Sequence, residues 1–284
     1  MNSWFDSLND MISYIEDNLD KEIEYEALSK IMGYSTYHIQ RLFLMVANVS
    51  ISEYIRCRRL SKAAHELLNE DSKITDIAFK YGYSSPTSFN RAFKAFHGIT
   101  PKDIRKSDTL IKAYPPLAFD FSIKGASAMD YRLVHTNTFK VVGKKIHTTM
   151  EDRKSYQELP EFWMQVQQGG EIPTILLLMN QEPFGLLGVS DYNPNLDQNE
   201  FDYYIGVSSN IEAPDGFSEV AIAATMWAAF PHKMGTPEDM QKFQNQIIME
   251  WLPSSGYEFA VGPDLEVYGQ DNTVETWIPV KKKQ

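Results

Sequence analysis

An all-α N-terminal half followed by an α+β C-terminal half with an antiparallel sheet is the fold class that the sequence predicts, and three observations predict it. A pattern of helix, glycine turn and helix occurs twice in the N-terminal third. From Ser107 on, periodicity weakens, and Pro115 with Pro116 breaks any helix. Beyond Asp130 an order of strand, helix, strand and strand also occurs twice.

Trp4 to Leu19 reads as an amphipathic helix with Phe5, Leu8, Met11, Ile12 and Ile15 on one side, packing on the hairpin that follows. Its acids face solvent. Like charges would meet a phosphate backbone there, so this helix is not expected on DNA.

The second hairpin is the clearer of the two. Ile74, Ile77, Ala78 and Tyr81 recur at helical spacing, Gly82 takes the positive φ that ends a helix, and Ser85 with Pro86 starts the next as N-cap and first-turn proline. Phe89, Ala92, Phe93 and Phe96 form the inward stripe of that helix, which turns Thr87, Ser88, Arg91 and Lys94 outward. Alone, this is either an ordinary αα-hairpin with a solvated basic face or a helix-turn-helix whose second helix enters a major groove. The repeat favours the groove. Gly33-Tyr34-Ser35 lies 49 residues before Gly82-Tyr83-Ser84, and after one inserted residue Arg91-Ala92-Phe93 falls on Arg41-Leu42-Phe43. Thr100 to Asp103 matches Ser50 to Glu53, each a hydroxyl N-cap with an acid three positions on that signals a helix start.

Between the copies, Ile51 to Asn69 reads as one helix. At ~1.5 Å per residue it spans roughly 28 Å, close to the ~34 Å turn of B-DNA, so it can hold two recognition helices in successive major grooves.

The formal net charge of −11 is unevenly spread. Residues 27 to 112 carry 14 bases against seven acids, residues 113 to 284 carry 12 against 23, and residues 1 to 26 carry one against eight. A basic module joined to an acidic one that does not touch DNA accounts for the split. Cys57 is the single cysteine, which excludes an internal disulfide and reads as a packed side chain rather than a redox switch. With no secretory signal and no long apolar run, the chain is expected in the cytoplasm and off the membrane. The six histidines show no metal-ligand spacing and nothing resembles a phosphate loop, so no metal site and no cofactor is expected.

Residues 4 to 106 resemble the DNA-binding domain of the AraC/XylS family of transcription regulators. The likeness rests on Arg59-Leu60, Ile77-Ala78, Gly82-Tyr83, Phe89, Arg91, Phe93 and Gly98-Ile99-Thr100-Pro101. It implies base-reading positions at Tyr37, Gln40 and Arg41 in the first copy and at Thr87, Ser88 and Arg91 in the second. Arginine suits guanine and glutamine suits adenine. Pro86 to Ser88 holds no long amide side chain, so readout in the second half-site is expected to rest on Arg91. Lys94 is expected on phosphate.

Ser107 to Met129 reads as a connector that lies across one of the domains, since Leu117, Phe119 and Phe121 are apolar. The organisation expected is a DNA-binding domain at 1–108, a connector at 109–129 and a second domain at 130–284. In the second domain, strands are expected at Phe139 to Thr148, Thr174 to Met179 and Phe201 to Ser208, with a helix at Ser155 to Gln167. The second round has strands at Glu219 to Pro231, Leu265 to Tyr268 and Val274 to Val280, with a helix at Pro237 to Trp251. Duplicated β-α-β-β units of this kind leave a ligand groove at their pseudo-twofold axis. Asp202 to Val207, Trp227 to Gly235, Trp251-Leu252-Pro253, Ser255-Gly256-Tyr257, Leu265 to Tyr268 and Glu275 to Pro279 resemble the GyrI-like effector-binding domain of Rob-type regulators. That resemblance implies a small-molecule sensor.

Strand alternation puts Glu266 and Tyr268 on one face of their strand, and Glu275 and Trp277 on one face of theirs. A carboxylate among aromatic rings suits a partly apolar cation. The same alternation is met if both glutamates lie on a solvated face. The resemblance implies a buried glutamate in the ligand site, with Glu266 as first choice, and Trp163, Tyr204 and Trp227 complete the wall unless they belong to the core.

The function expected is a sequence-specific DNA-binding transcription regulator whose C-terminal domain senses a hydrophobic, cationic small molecule. Its partners would be double-stranded promoter DNA, the effector and RNA polymerase, as monomer or homodimer. Two alternatives stay open. One, which the GyrI-like resemblance also implies, is a small-molecule hydrolase fused to a DNA-binding domain, with Glu266 or Glu275 as general base beside Tyr268; the other is a C-terminal domain that serves as a protein-contact module. Of these, the non-enzymatic regulator is the expectation.

Overall fold

The computed structural model describes residues 4–68, 72–104, 106, 110–119, 128–192, 200–269 and 273–283, with the side chains of Trp4, Phe5, Tyr37 and Asp152 left aside. Asn69, Ser107, Phe121 and the stretch 124–127, which figure in the sequence reading, lie outside the described residues. The chain forms two compact units, Met1–Ile39 with Ala47–Ser122 and Gln40–Val46 with Ile123–Gln284.

The first unit is helical. Helix α1 (Trp4–Asp17) buries Leu8, Met11, Ile12 and Ile15. Then come α2 (Tyr25–Met32), α3 (Thr36–Ala47), α4 (Ile51–Leu67), α5 (Ile74–Lys80) and α6 (Pro86–His97). The repeat extends to the backbone: Gly82 and Gly98 both have φ of 80°, and their counterparts Gly33 and Asn48 have 72° and 61°. Glycine reaches this left-handed region without strain and asparagine is among the residues that tolerate it, so both hairpins end both of their helices alike. At Gly82 there is a second reason for glycine, because a Cβ would stand 2.9 Å from Nη1 of Arg59. That guanidinium also donates to the carbonyls of Leu19 (2.9 Å) and Lys21 (2.6 Å), tying α4 to the segment after α1.

In α4, Ser50 caps the start by accepting from the Glu53 amide at 3.2 Å. The Glu53 carboxylate does not turn back to close a capping box; it pairs with Arg56 at 2.6 Å. Leu60, Ala64 and Leu67 of α4 join Ile77, Ala78, Phe89 and Phe93 in one apolar cluster. Each large side chain buried there contributes about 1.5–3 kcal/mol. The match between Thr100 and Ser50 ends differently from expectation: Thr100 donates to the Asp103 carboxylate at 2.5 Å, but residues 101–104 form a turn and no helix. Proline at 101 supplies a turn as readily as a first helical residue.

The connector crosses this unit. Asn9 both donates to the Phe119 carbonyl (3.0 Å) and accepts from the Phe119 amide (2.9 Å), and the amides of Tyr114 and Leu117 donate to Ser61 Oγ (2.7 Å) and the Tyr54 hydroxyl (3.2 Å).

The second unit holds a curled antiparallel sheet with helices. Its strands and helices run β1 (Arg132–Thr136), β2 (Phe139–Thr149), α7 (Lys154–Gln168), α8 (Ile172–Leu177), β3 (Leu186–Asp191), β4 (Glu200–Ser208), β5 (Ser218–Ile222), β6 (Thr225–Lys233), α9 (Pro237–Gln246), β7 (Tyr257–Phe259), β8 (Asp264–Tyr268) and β9 (Thr273–Lys282). The order across the sheet is β1-β6-β9-β8-β3-β4-β2-β5, with β7 on β9. It reads the same from both ends: β6-β9-β8 in one half answers β2-β4-β3 in the other, and β1 and β5 flank them. The duplicated β-α-β-β pattern is therefore a property of the topology, with its pseudo-twofold axis between β8 and β3.

Two strands differ from the sequence reading. Thr174 to Met179 is not a strand but contains most of α8, with Pro173 in its first turn and only Ile175 of the helix buried. The second strand of that β-α-β-β unit lies further on, at β3. An apolar run this short does not distinguish strand from helix, and Pro173 decides for the helix. The single strand expected over Glu219 to Pro231 is two, β5 on β2 and β6 between β1 and β9. No helix among the described residues is long and apolar enough to cross a membrane.

Candidate ligand-binding and DNA-contact sites

Helix α6 is built to present one face. Ser85 caps it by accepting from the Ser88 amide at 3.2 Å, Pro86 opens its first turn, and Phe89 and Phe93 lock the opposite side into the core. Thr87, Arg91 and Lys94 are exposed on the free side. Ser88 is half-buried, its hydroxyl donating to the Ser85 carbonyl at 2.8 Å. The side chains of Arg91 and Lys94 make no hydrogen bond or ion pair among the described residues, so both charges are available to an anionic partner.

The first copy differs. Gln40 and Arg41, which the resemblance implies as base-reading positions, are buried at 2% and 8% exposure. Their stretch of α3, Gln40–Val46, clusters with the second unit, and the Arg41 guanidinium is paired with the Asp264 carboxylate. A side chain so enclosed presents no edge to a base. The backbone of Tyr37 lies in α3.

The second unit contains a cavity of about 1280 Å³. Its floor is one face of three adjacent strands: Phe201 and Tyr203 of β4, Leu186 and Ser190 of β3, and Asp264, Glu266 and Tyr268 of β8. Trp163 and Met164 of α7 stand over it. Glu266 is half-buried, part of its surface open to the cavity while protein surrounds the rest. The hydroxyls of Tyr268 (2.8 Å) and Tyr203 (3.1 Å) both donate to its Oε2, and Trp163 Nε1 donates to the Tyr203 oxygen at 2.9 Å. The Trp163 and Tyr268 rings meet edge to face at 4.9 Å. Desolvation pushes the Glu266 carboxyl above the ordinary carboxylate range, outweighing the two tyrosine hydrogen bonds and the positive charge of Arg41, which act the other way. The same burial, with the glutamate charge, pushes both tyrosines well up, so their hydroxyls remain donors.

Of the seven ligand residues expected, the structure brings Glu266, Tyr268 and Trp163 together. The other four lie on the opposite face. Trp277, Trp227 and Tyr204 belong to the core cluster formed with Val141, Leu187, Val189 and Leu265. Glu275 shares their strand face, accepting from Trp277 Nε1 at 2.7 Å and pairing with Arg132 at 2.7 Å. The cause is register: Glu266 stands opposite Thr276, not Glu275 or Trp277, so the two acid-and-aromatic strands are out of phase by one residue. Tyr203 was not anticipated. Adjacent tyrosines on a strand point to opposite faces, so one of Tyr203 and Tyr204 had to meet whatever lay on Glu266's side, but alternation does not say which. No group of three or more histidine, cysteine, aspartate or glutamate side chains is arranged to hold a metal among the described residues.

Comparison with known proteins divides the chain similarly. A helix-turn-helix domain model matches residues 28–107, and the model of the GyrI-like small molecule binding domain matches residues 129–281. The HTH-type transcriptional activator AarP of Providencia stuartii is 37% identical over 102 residues, which cover 36% of this chain and 76% of AarP. The regulatory protein SoxS of Escherichia coli (strain K12) is 37% identical over 98 residues, covering 34% of this chain and 92% of SoxS. The transcriptional regulator Rob of Salmonella typhimurium is 25% identical over 281 residues and spans both parts, with 95% of this chain and 92% of Rob covered.

Proposed function

The chain belongs to the AraC-type DNA-binding transcription regulators and carries a GyrI-like domain behind its helix-turn-helix region, and from that premise we propose that the second domain is a sensor for a hydrophobic cation. The observation that supports this most is the Glu266 carboxylate, half-buried in a cavity of about 1280 Å³ and holding two tyrosine hydroxyls on one oxygen. A carboxylate in that setting has given up much of its hydration without gaining an ion pair, because the nearby Arg41 guanidinium is engaged by Asp264. A cation with aromatic or aliphatic bulk supplies both the charge and the apolar contact with Trp163, Tyr268, Phe201 and Leu186. A neutral ligand supplies only the second.

On the DNA side, the reading assigns Arg91 to a base edge, Thr87 and Ser88 to its neighbours, and Lys94 to phosphate. It gives Gln40 and Arg41 no base contact, since both are buried. RNA polymerase is the further partner that a promoter-bound regulator of this family would meet. The reading includes no catalysis.

The test is a titration of tryptophan fluorescence with berberine, a planar aromatic cation, and with dihydroberberine, its uncharged reduction product. Wild-type protein should bind the cation saturably and more tightly than the neutral form, Glu266→Gln should lose that preference, and neither compound should be consumed. Turnover of a dye or ester from a wider panel would favour the hydrolase. An absence of saturable binding to any cation would remove the sensor.

A further inference from the structure

We propose that Gly188 is a positioning residue of the cavity: its missing side chain is the passage through which Tyr203 reaches across β3 to share Oε2 of Glu266 with Tyr268. This deepens the sensor reading and rests on it for the meaning of the site, though its geometry is independent of any ligand.

The argument starts from register. Gly188 of β3 stands opposite Ile205 of β4 on one side and Glu266 of β8 on the other, so it is the centre of the row that carries the carboxylate. Tyr203 sits one row away, opposite Ser190, and Ser190 is opposite Asp264. To touch Glu266 the Tyr203 side chain must therefore run diagonally over β3, and the position it crosses is Gly188. A Cβ there would lie 2.3 Å from the Tyr203 hydroxyl oxygen, 3.2 Å from its Cζ and 2.8 Å from Glu266 Oε2. Real Cβ atoms do not come within 3.0 Å of such neighbours, as this one would of both oxygens, so any other residue would displace the hydroxyl, the carboxylate or both. The backbone does not require glycine here. Gly188 is not among the positive-φ glycines and lies inside a regular ladder. Glycine weakens a strand interior and commonly marks a place where something approaches the backbone closely; here the approaching atoms are the two that define the site.

Both hydrogen bonds that Glu266 accepts end on Oε2. The arrangement fixes the plane of the carboxylate from one side and leaves Oε1 without a tyrosine donor. Trp163 holds the Tyr203 oxygen from α7, so a displaced Tyr203 loses two partners at once.

The experiment compares Gly188→Ala, Tyr203→Phe and the double variant, with two readouts. The first is berberine affinity. Gly188→Ala should weaken it by roughly tenfold or more, as a misplaced site group does. In the Tyr203→Phe background, which lacks the most crowded atom, the same substitution should have a clearly smaller effect, because the carboxylate contact remains but the ring can now give way. The second readout is the Glu266 carboxyl titration followed by carbon NMR, which needs no ligand. It should move further up in Gly188→Ala than in wild type, because the Tyr203 donor that favours the ionised form is withdrawn, and much less between Tyr203→Phe and the double variant. Equal effects in both backgrounds, or no effect in either, would overturn the proposal and leave Gly188 to ordinary sheet packing. If Gly188→Ala fails to fold while the double variant folds, the steric passage is supported; if both fail, it is overturned. If wild-type protein binds no cation, the sensor reading falls, yet the titration still decides the role of Gly188.

Discussion

Tyr268 donates its hydroxyl to Glu266 from two residues along the same strand, at 2.8 Å, so carboxylate and ring leave β8 on one side and meet over the cavity floor. Neighbours at this spacing share a face in any strand, and the pair is therefore as rigid as the ladder that carries it. Its chemistry follows from what it lacks, which is an ion-pair partner of its own, since the Arg41 guanidinium that also lines the cavity is paired with Asp264.

Removing that negative charge without changing shape is the most direct test. Glu266→Gln should cost a bound hydrophobic cation about 2–5 kcal/mol, the range for leaving one member of a desolvated charge pair alone, and leave an uncharged analogue within about 1 kcal/mol. Calorimetric titration of berberine and dihydroberberine measures both. Equal losses for the two ligands would mean that Glu266 acts through packing.

Acid should weaken cation binding. The cation requires the ionised carboxylate, and the Glu266 carboxyl titrates above the ordinary range, so affinity should fall by about tenfold per unit once pH drops below that raised value. Stability of the free protein should respond with the opposite sign. The folded carboxyl holds its proton more tightly than the unfolded one, so this group's contribution is fully present below the unfolded pKa and is lost as pH rises through the folded one. Thermal melts of wild type and Glu266→Gln between about pH 4 and pH 8 should diverge in that window. Parallel curves would refute the assignment.

Arg91→Ala should cost roughly 1–3 kcal/mol of specific DNA binding with the fold intact, and mainly at one base position. Lys94→Ala should instead weaken specific and non-specific binding alike and lower the salt slope by about one. Mobility-shift titrations at several salt concentrations separate the two. An Arg91→Ala protein with unchanged operator preference would take that residue off the bases.

The ion pair between Arg58 and Glu16 links the two long helices of the first unit at 2.6 Å, with a second bond of 2.8 Å from Arg58 Nε and another of 2.8 Å from the Tyr54 hydroxyl. Burial alone would raise the Glu16 carboxyl, but these donors hold it below its usual value. Its stabilising share should therefore be present above the unfolded carboxylate pKa and be lost as pH falls through the depressed one. Glu16→Ala leaves the buried Arg58 uncompensated and should destabilise by about 3 kcal/mol, near the low end for a broken buried pair because Glu16 keeps some surface in solvent. Denaturant midpoints at neutral pH test this; a loss below about 0.5 kcal/mol would place the pair among weak surface contacts.

The helical unit was legible because its signals are local. Gly82, Ser85, Pro86 and the phenylalanine stripe of α6 each act within a turn of their own position, and the repeat confirmed them. Strand count in the second unit was less so. The sequence around β3, with Gly185 and Gly188 interrupting its apolar residues, reads more weakly than the neighbouring run that forms α8. Least legible was phase. Alternation correctly placed Glu266 with Tyr268 and Glu275 with Trp277 on their own strands, but the one-residue offset between β8 and β9 comes from pairing, and pairing is a relation between distant segments. The burial of Gln40 and Arg41 is likewise a long-range fact that no helical period could announce.

The symmetric strand order has a consequence for how the cavity exists at all. The two β-α-β-β halves meet in the sheet along one ladder of five residue pairs, Leu186 with Tyr268 to Ser190 with Asp264. Trp163, Gly188 and Tyr203 come from one half, and Glu266 and Tyr268 from the other. Neither half owns a site. The cavity is in effect a subunit interface folded into a single chain, and a molecule seated in it works as a staple across the joint. Occupancy and correct assembly of the halves are then the same thermodynamic event, and ligand should slow the parting of that seam above all other openings of the domain.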